Sequence, residues 1–402
     1  LHAGLDLEFP HNEAHAKQMR QHLKDGNVDL TRLEASANRM LVLSQKAEEA
    51  RKLRQVQYSV EERIAISQKI EENAIVLLKN NGVLPLTKGR IHVTGAPAHL
   101  YYHGGGSSAV IPNRPFVPLD EALRALGYDA FYSESIGKVY GSNVSMGNLK
   151  QACRNSAESD VTILTVGTGA GGEVEETDRR DITLTPEELD ALKYIRKYTK
   201  KLVVVVYAGS AVDLSEFDKL ADAVVLAGFG GQSVSRAVAN VLSGKVNPSG
   251  RLTETYACRV ADIPSEQTRR DEGRMFYEER LKVGYRYFAG AQTPVLYPFG
   301  YGLSYTTFQY ADLKVKEQND GFDVSVHVKN CGQMDGQEVV QLYVSKKEPI
   351  ANRPIRELKA FTKVALKHGE TVQVNIRLGK DALACYSSES HSWYAPEGAF
   401  ML

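Results

Sequence analysis

Apolar residues recur along this chain with two different periods, and the place where one gives way to the other divides the sequence. Near the start, residues 12–25 and 30–49 carry helical spacing. Leu33, Ala37, Met40, Leu41 and Leu43 fall close to one face, and Asp29 or Thr31 is placed to cap the second helix. Residues 1–10 read as a short strand with its exit loop, and 51–60, mostly charged and polar, read as a solvated linker. A third helix is expected over roughly 60–79. It runs into Asn81-Gly82, a turn signal, after which Leu84-Pro85-Leu86 begins an extended stretch.

From residue 91 the pattern alternates. Apolar runs at 91–95, 161–166, 202–207 and 223–227 have the continuous hydrophobicity of strands covered on both faces, and 119–126, 186–198 and 233–242 have helical spacing. Strands alternating with helices predict a doubly wound α/β layer. After Pro248-Ser249-Gly250 the texture changes, and 259–280 is polar and irregular, as a surface connection would be. Beyond Gly300 the helical signals fade and period-two runs appear at 322–328, 338–344 and 372–376, which predict a β-sandwich of immunoglobulin or fibronectin type.

Composition narrows the functions this fold can serve. Lys+Arg and Asp+Glu both number 49 in 402 residues, so no basic excess suggests a nucleic-acid partner and no acidic tail suggests a solvating role. The longest apolar runs, such as 202–208, fall far short of the ~20 residues that span a bilayer. The opening LHAGLDLEFP lacks the charged start, apolar run and cleavage site of a signal peptide. Cys153, Cys258, Cys331 and Cys385 lie far apart, without CxxC or zinc-finger spacing, and read as ordinary buried thiols. The sequon Asn143-Val144-Ser145 is too common a pattern to imply secretion. Compartment stays open, with the cytoplasm as the default.

Two glycine stretches invite a nucleotide reading. His103-Gly104-Gly105-Gly106-Ser107-Ser108 lacks both Gly-Lys-Ser/Thr and a GxGxxG opening a helix, so a loop with close backbone approach is the better account. The same holds for Gly228-Phe229-Gly230-Gly231-Gln232, at a strand-to-helix turn. The segment 171–181 is different: Glu173, Glu175 and Glu176 crowd beside Asp178-Arg179, just past an apolar strand. Like charges at close range raise the pKa of one carboxyl, which is what a general acid needs, although a solvated acidic loop explains the same residues.

Several stretches, in order, resemble glycoside hydrolase family 3. Ala3-Gly4-Leu5-Asp6-Leu7-Glu8-Phe9-Pro10 is similar to the segment near the end of that family's catalytic (β/α)8 barrel. Val76-Leu77-Leu78-Lys79-Asn80 with Leu84-Pro85-Leu86 resembles the entry to its α/β sandwich domain, and residues 230–255 resemble that domain's closing helix and strand. The most specific signature is Val283-Gly284-Tyr285-Arg286-Tyr287-Phe288 followed by Tyr297-Pro298-Phe299-Gly300-Tyr301-Gly302-Leu303-Ser304-Tyr305-Thr306. Residues 336–344 and Arg356-Glu357-Leu358 resemble the family's fibronectin-like domain.

The resemblance implies a retaining, exo-acting β-glycosidase, first of all a β-glucosidase, that acts on β-glycosides or oligosaccharides with no cofactor and no metal. It implies that the acid/base is a glutamate in a Glu-Gly-x-Asp-Arg loop, which makes Glu175 the first choice and Glu173 the second; Glu176 stands where the family has glycine. Asp178 and Arg179 are expected to brace the loop as an ion pair. The nucleophile is expected on a Ser-Asp-Trp-like motif upstream of Leu1, since Asp6 lies past that position and the one tryptophan is Trp393. Both ends read as cut, with the barrel supplied by the same or another chain.

The expected domains are 1–50, the end of the barrel; 51–60, a linker; 61–258, the α/β sandwich; 259–301, a connection; and 302–402, a fibronectin type III-like sandwich. A homo-oligomer is compatible with this reading; nucleic acid and membrane are not expected partners. Two other classes stand beside it: a non-catalytic carbohydrate-binding or scaffold protein derived from the family, and a nucleotide- or flavin-binding α/β protein.

Overall fold

The computed structural model describes residues 4–53, 57–104, 116–135, 148–175, 179, 181–267, 269–271, 273–350 and 353–402. The chain forms two compact units, residues 1–63 and 64–402. In the first, α1 (Glu13–Lys24) begins at Asn12, whose side chain accepts from the amides of Ala14 and His15. Asp29 does the same for α2 (Leu30–Leu53), accepting from Thr31 and Arg32. Residues 4–10 are not the expected strand, because a strand needs a ladder partner and none is present among the described residues. Instead Asp6 holds Arg39 of α2 bidentately at 2.7 and 2.6 Å, which lowers its carboxyl to about 2.

Helix α2 runs four residues past its expected end. Ala50, Arg51, Lys52 and Leu53 are strong helix formers, and Arg51 pairs with Glu48 at 2.8 Å, so the anticipated linker shrinks. Almost nothing on α2 is buried: Leu41, Val42, Leu43 and Leu53 are all exposed, as are Leu5, Leu7 and Phe9 before it.

Helix α3 (Val60–Ala74) ends five residues earlier than expected. The stretch taken as its continuation is strand β1 (Val76–Asn80), antiparallel to the last strand of the sheet with Val76 opposite Leu226. A short apolar run buried on both faces looks alike as helix or strand in sequence, and here pairing decides. Past it, Asn80 Oδ1 accepts from the amides of Gly82, Val83 and Leu84, each at 3.1 Å, and shapes the turn.

The chain then builds β2 (Arg90–Thr94), α4 (Leu119–Ala125), β3 (Asp129–Tyr132), α5 (Leu149–Ala157), β4 (Val161–Gly167), the single turn α6 (Gly169–Gly172), α7 (Pro186–Arg196), β5 (Leu202–Tyr207), α8 (Ser215–Leu220), β6 (Ala223–Leu226) and α9 (Val234–Leu242). The six strands lie in the order β1-β6-β5-β4-β2-β3, and all neighbours except β1 and β6 are parallel. Along β5, Val203, Val205 and Tyr207 enter the core under α4 and α9, while Leu202, Val204 and Val206 enter the core under α5, α7 and α8. Each such side chain contributes on the order of 1.5–3 kcal/mol by leaving water. Strand β3 and helices α5 and α8, at 4, 9 and 6 residues, escaped the sequence reading because each is too short to establish a period.

The connection carries β7 (Tyr256–Ala257), β8 (Arg269–Asp271), β9 (Arg274–Phe276), the turn α10 (Tyr285–Phe288) and β10 (Val295–Tyr297), which pairs with β7. The remainder is a two-sheet sandwich of β11 (Phe308–Gln318), β12 (Gly321–Asn330), β13 (Gly336–Lys346), β14 (Glu357–Leu366), β15 (Thr371–Gly379), the hairpin β16 (Cys385–Ser387) and β17 (Ser392–Tyr394), and β18 (Phe400–Met401). One sheet orders β11-β12-β15 and the other β14-β13-β18, with Val324, Leu342, Val344 and Leu378 between them. Arg251 ties the α/β layer to the sandwich through Glu338 at 2.5 Å. All four cysteines are free thiols, but only Cys153 is buried as expected; Cys258 and Cys385 are half-buried and Cys331 is exposed. No helix among the described residues is long and apolar enough to cross a membrane.

Candidate functional site

The topology itself picks out a place for a ligand. From β2 the chain steps outward to β3, whereas from β4 it steps the other way through β5 to β6, so the order of strands reverses between the adjacent pair β2 and β4. Open α/β sheets form a crevice beyond the carboxyl ends of the strands at such a reversal. The loops that leave β2 and β4 are its walls. They approach closely at their base: a β-carbon on Gly95 would collide with the Thr165 carbonyl, and Thr165 Oγ1 bonds both the Ala98 amide and the Thr94 carbonyl at 3.1 Å. Farther out, Gly104 lies against the backbone of Glu173.

The wall leaving β4 holds the two carboxyls expected from sequence, and their environments differ. Glu173 is a tied group. Its Oε1 accepts from Thr168 Oγ1 at 2.6 Å and from the amides of Gly209 and Ser210, at the exit of β5, at 3.0 and 3.3 Å. Arg179 Nη1 stands 4.0 Å from the same oxygen, and the side chain is 16% exposed. Glu175, two residues on, is exposed and carries no hydrogen bond or ion pair among the described residues. The two are brought to the same wall, but only Glu175 is presented outward.

Arg179 reaches across as well, donating Nη2 to the Ala211 carbonyl at 2.8 Å. Asp178, its expected partner, lies outside the described residues together with Glu176, Thr177 and Arg180, and so do Gly105–Ser108 of the first glycine stretch and the sequon at 143–145. The second glycine stretch behaves as read: Gly228 and Gly231 have φ of 64° and 72°, a region that disfavours a β-carbon.

Three more carboxyls near this edge were not singled out from sequence, although Thr185-Pro186-Glu187-Glu188 carries the capping-box pattern that signals one of them. Glu188 sits at the third position of α7, buried, and accepts from Gly167 N at 2.9 Å and from both the amide and hydroxyl of Thr185; burial raises its carboxyl against those bonds. It joins the cap of α7 to the end of β4. Desolvation raises the Glu254 carboxyl while the charge of Arg179 pulls it down, although the residue as a whole is solvent-exposed. Glu71 of α3 is 6% exposed with no partner for Oε1, and burial alone pushes it up to about 7. Among the described residues, no group of three His, Cys, Asp or Glu is arranged to hold a metal.

This arrangement can do acid/base work: one carboxyl is free to meet a ligand, on a loop whose base is tied down by a second. Comparison with known proteins agrees in fold and family. The glycosyl hydrolase family 3 C-terminal domain model matches residues 75–305, and a fibronectin type III-like domain model matches 338–402. The chain is 34% identical to the thermostable β-glucosidase B of Acetivibrio thermocellus, over 100% of this chain and 54% of that protein. It is 30% identical to an exo-α-(1→6)-L-arabinopyranosidase of Bifidobacterium breve, over 100% of this chain and 55% of that protein. The crystal structure of a β-glucosidase of the same family from Bifidobacterium adolescentis superposes with a TM-score of 0.90 at 29% identity, over 98% of this chain and 59% of the other. The chain therefore spans about half the length of the curated relatives it matches, and over that span it belongs to glycoside hydrolase family 3.

Proposed function

We propose that this chain is the acid/base-bearing portion of a retaining, exo-acting β-glycosidase, with β-glucosidase as its first expected activity, and that Glu175 is the acid/base. The observation that carries this is the contrast on one loop at the strand reversal: Glu173 is consumed by three donors, and Glu175 is exposed with no hydrogen bond among the described residues. The names of the similar proteins support the class and leave the sugar open, since one is a β-glucosidase and another an arabinopyranosidase.

In this reading the nucleophilic aspartate belongs to a barrel carried in the same or another polypeptide, and residues 1–50 are the end of that barrel. The exposed apolar side chains of 5–53 support a partner surface there, because large apolar patches in water mark contact sites. Retaining hydrolysis needs two carboxyls about 5–5.5 Å apart across the scissile bond. The barrel carboxylate forms a bond to the anomeric carbon as the bond to the leaving oxygen breaks, and Glu175 gives that oxygen its proton. Water then attacks the same carbon, Glu175 takes the proton from water, and the carboxylate leaves. No residue in this path calls for a metal or cofactor.

The test is Glu175→Ala in the complete enzyme with an unactivated alkyl β-glycoside. Turnover is expected to fall by about 10²–10⁴-fold. Undiminished turnover sinks the assignment, and saturable sugar binding with no turnover by the wild-type complete protein would favour the non-catalytic alternative.

A further inference from the structure

The segment Gly209-Ser210-Ala211, at the exit of β5, meets the loop after β4 through its backbone. The amides of Gly209 and Ser210 donate to Glu173. The Ala211 carbonyl accepts from Arg179. Glu173 lies two residues before Glu175 and Arg179 four residues after it, so both ends of the stretch that carries Glu175 are fastened to the same three residues. Space around the anchor is used up too: a β-carbon on Gly209 would run into Glu173 Oε2 and the Phe229 ring.

We infer that residues 209–211 are a seat for the acid/base loop, with Glu173 and Arg179 as the positioning residues that set where Glu175 stands. The inference rests on the reading of Glu175 as acid/base. It gives Glu173 a role that neither a catalytic acid nor a solvated loop residue would have. The guanidinium of Arg179 adds direction: Nη1 is buried, with no hydrogen bond of its own, 4.0 Å from Glu173 Oε1, and Arg179 also lowers the Glu254 carboxyl. Arg179 thus pairs with Glu173 while its other arm holds the Ala211 carbonyl. A proton donor has to meet the leaving oxygen within hydrogen-bond reach, and a misplacement of about 1 Å is worth about a hundredfold in rate.

The experiment uses the complete enzyme with Glu173→Ala, Glu173→Gln and Glu175→Ala, each assayed on an alkyl β-glycoside and on an aryl β-glycoside with a good leaving group, with and without azide. Glu173→Ala is expected to lower kcat/KM for the alkyl substrate about a hundredfold, with the loss in kcat. For the aryl substrate kcat/KM should stay within about threefold, because its departure needs little acid help. Glu173→Gln keeps an oxygen for the three donors and should restore most of the alkyl rate.

Azide reports on the base step. It should accelerate Glu175→Ala on the aryl substrate, since azide attacks without a base, and should accelerate Glu173→Ala less, because the Glu175 carboxylate still stands in the way of the anion. The inference is overturned if Glu173→Ala loses kcat/KM equally on both substrates, loses none, or gains as much from azide as Glu175→Ala does. Should Glu175→Ala retain full alkyl turnover, it is the acid/base reading that fails, and the Glu175 variant alone shows which of the two is at fault.

Discussion

The carboxyl of Glu71 lies against Gly230, in the space where a β-carbon on residue 230 would have to sit. This contact joins α3 to the turn that follows β6, at the same end of the sheet as the candidate site, and it is made by a carboxyl with no cation beside it. The buried Tyr207 phenol feels its charge: that phenol's pKa is raised first by burial and then by Glu71. Burial raises Glu71 from the ordinary carboxyl value of 4.5 to about 7.

A pH dependence of stability follows from that shift. Between those two values the native state holds a proton that the unfolded chain has released, so stability falls as pH rises through the window and levels off above about 7. The loss is on the order of 3 kcal/mol. Glu71→Gln removes the ionisable group, so at pH 8 its melting temperature is expected to exceed that of the wild type by a few degrees, with the gap closing below pH 5. Equal melting temperatures at pH 8 would show that Glu71 is not held neutral.

Gly230→Ala tests the contact from the other side. The φ of −75° at Gly230 suits any residue, so the cost of the substitution is steric and not conformational. It is expected to destabilise the wild type by about 1–3 kcal/mol through overpacking. In a Glu71→Ala background the same change should cost much less, and a double-mutant cycle from denaturation curves measures the difference. Full additivity would mean that the two residues do not share space.

Much of the fold could be read from the sequence because strands such as β4 and β5 are buried on both faces and announce it with unbroken apolar runs. Strand β1 could not be told from the helix before it, since Val76-Leu77-Leu78 is equally apolar in either state and its pairing partner β6 lies some 150 residues away. The candidate site was legible only in part. The crowding of carboxyls after β4 drew notice to Glu173 and Glu175, and only the family resemblance ranked them as candidates; what separates their environments is the backbone of 209–211, which no local pattern shows. Glu71 left no trace: beside Glu72 on an amphipathic helix it reads as one of a solvated pair. In the structure Glu72 bonds Asn240 of α9 at 2.5 Å while Glu71 is buried.

The junction between the α/β layer and the sandwich rests on a buried ion pair. Arg251 and Glu338 are each 12% exposed, 2.5 Å apart, and Tyr310 donates to the other oxygen of Glu338 at 2.8 Å. Arg251→Ala leaves Glu338 charged in a nearly dry interface and is expected to cost about 3–5 kcal/mol. Replacing both partners with methionine removes the stranded charge, and it should cost well under half as much. Denaturant unfolding of the single and double variants decides this, and a double variant as unstable as Arg251→Ala would refute it.

His92 opposes Glu71. It is fully buried on β2, bonded to Ser156 Oγ at 3.0 Å and Ser133 Oγ at 2.7 Å. Burial first, and then the positive charge of Arg90, lower the imidazole from 6.5 to about 4. Between those values the unfolded chain binds a proton that the native state refuses, so stability rises with pH through the window, again by about 3 kcal/mol. The two windows overlap from pH 4.5 to 6.5 with opposite slopes of similar size, so the contributions of these two groups nearly cancel there. Removing one exposes the other. His92→Gln should show stability falling across that range, and Glu71→Gln should show it rising. Slopes are the quantity to compare, since either substitution also disturbs packing at every pH. Parallel profiles for the two variants, measured as melting temperature against pH, would mean that at least one of these groups titrates in the native protein as it does in the unfolded chain.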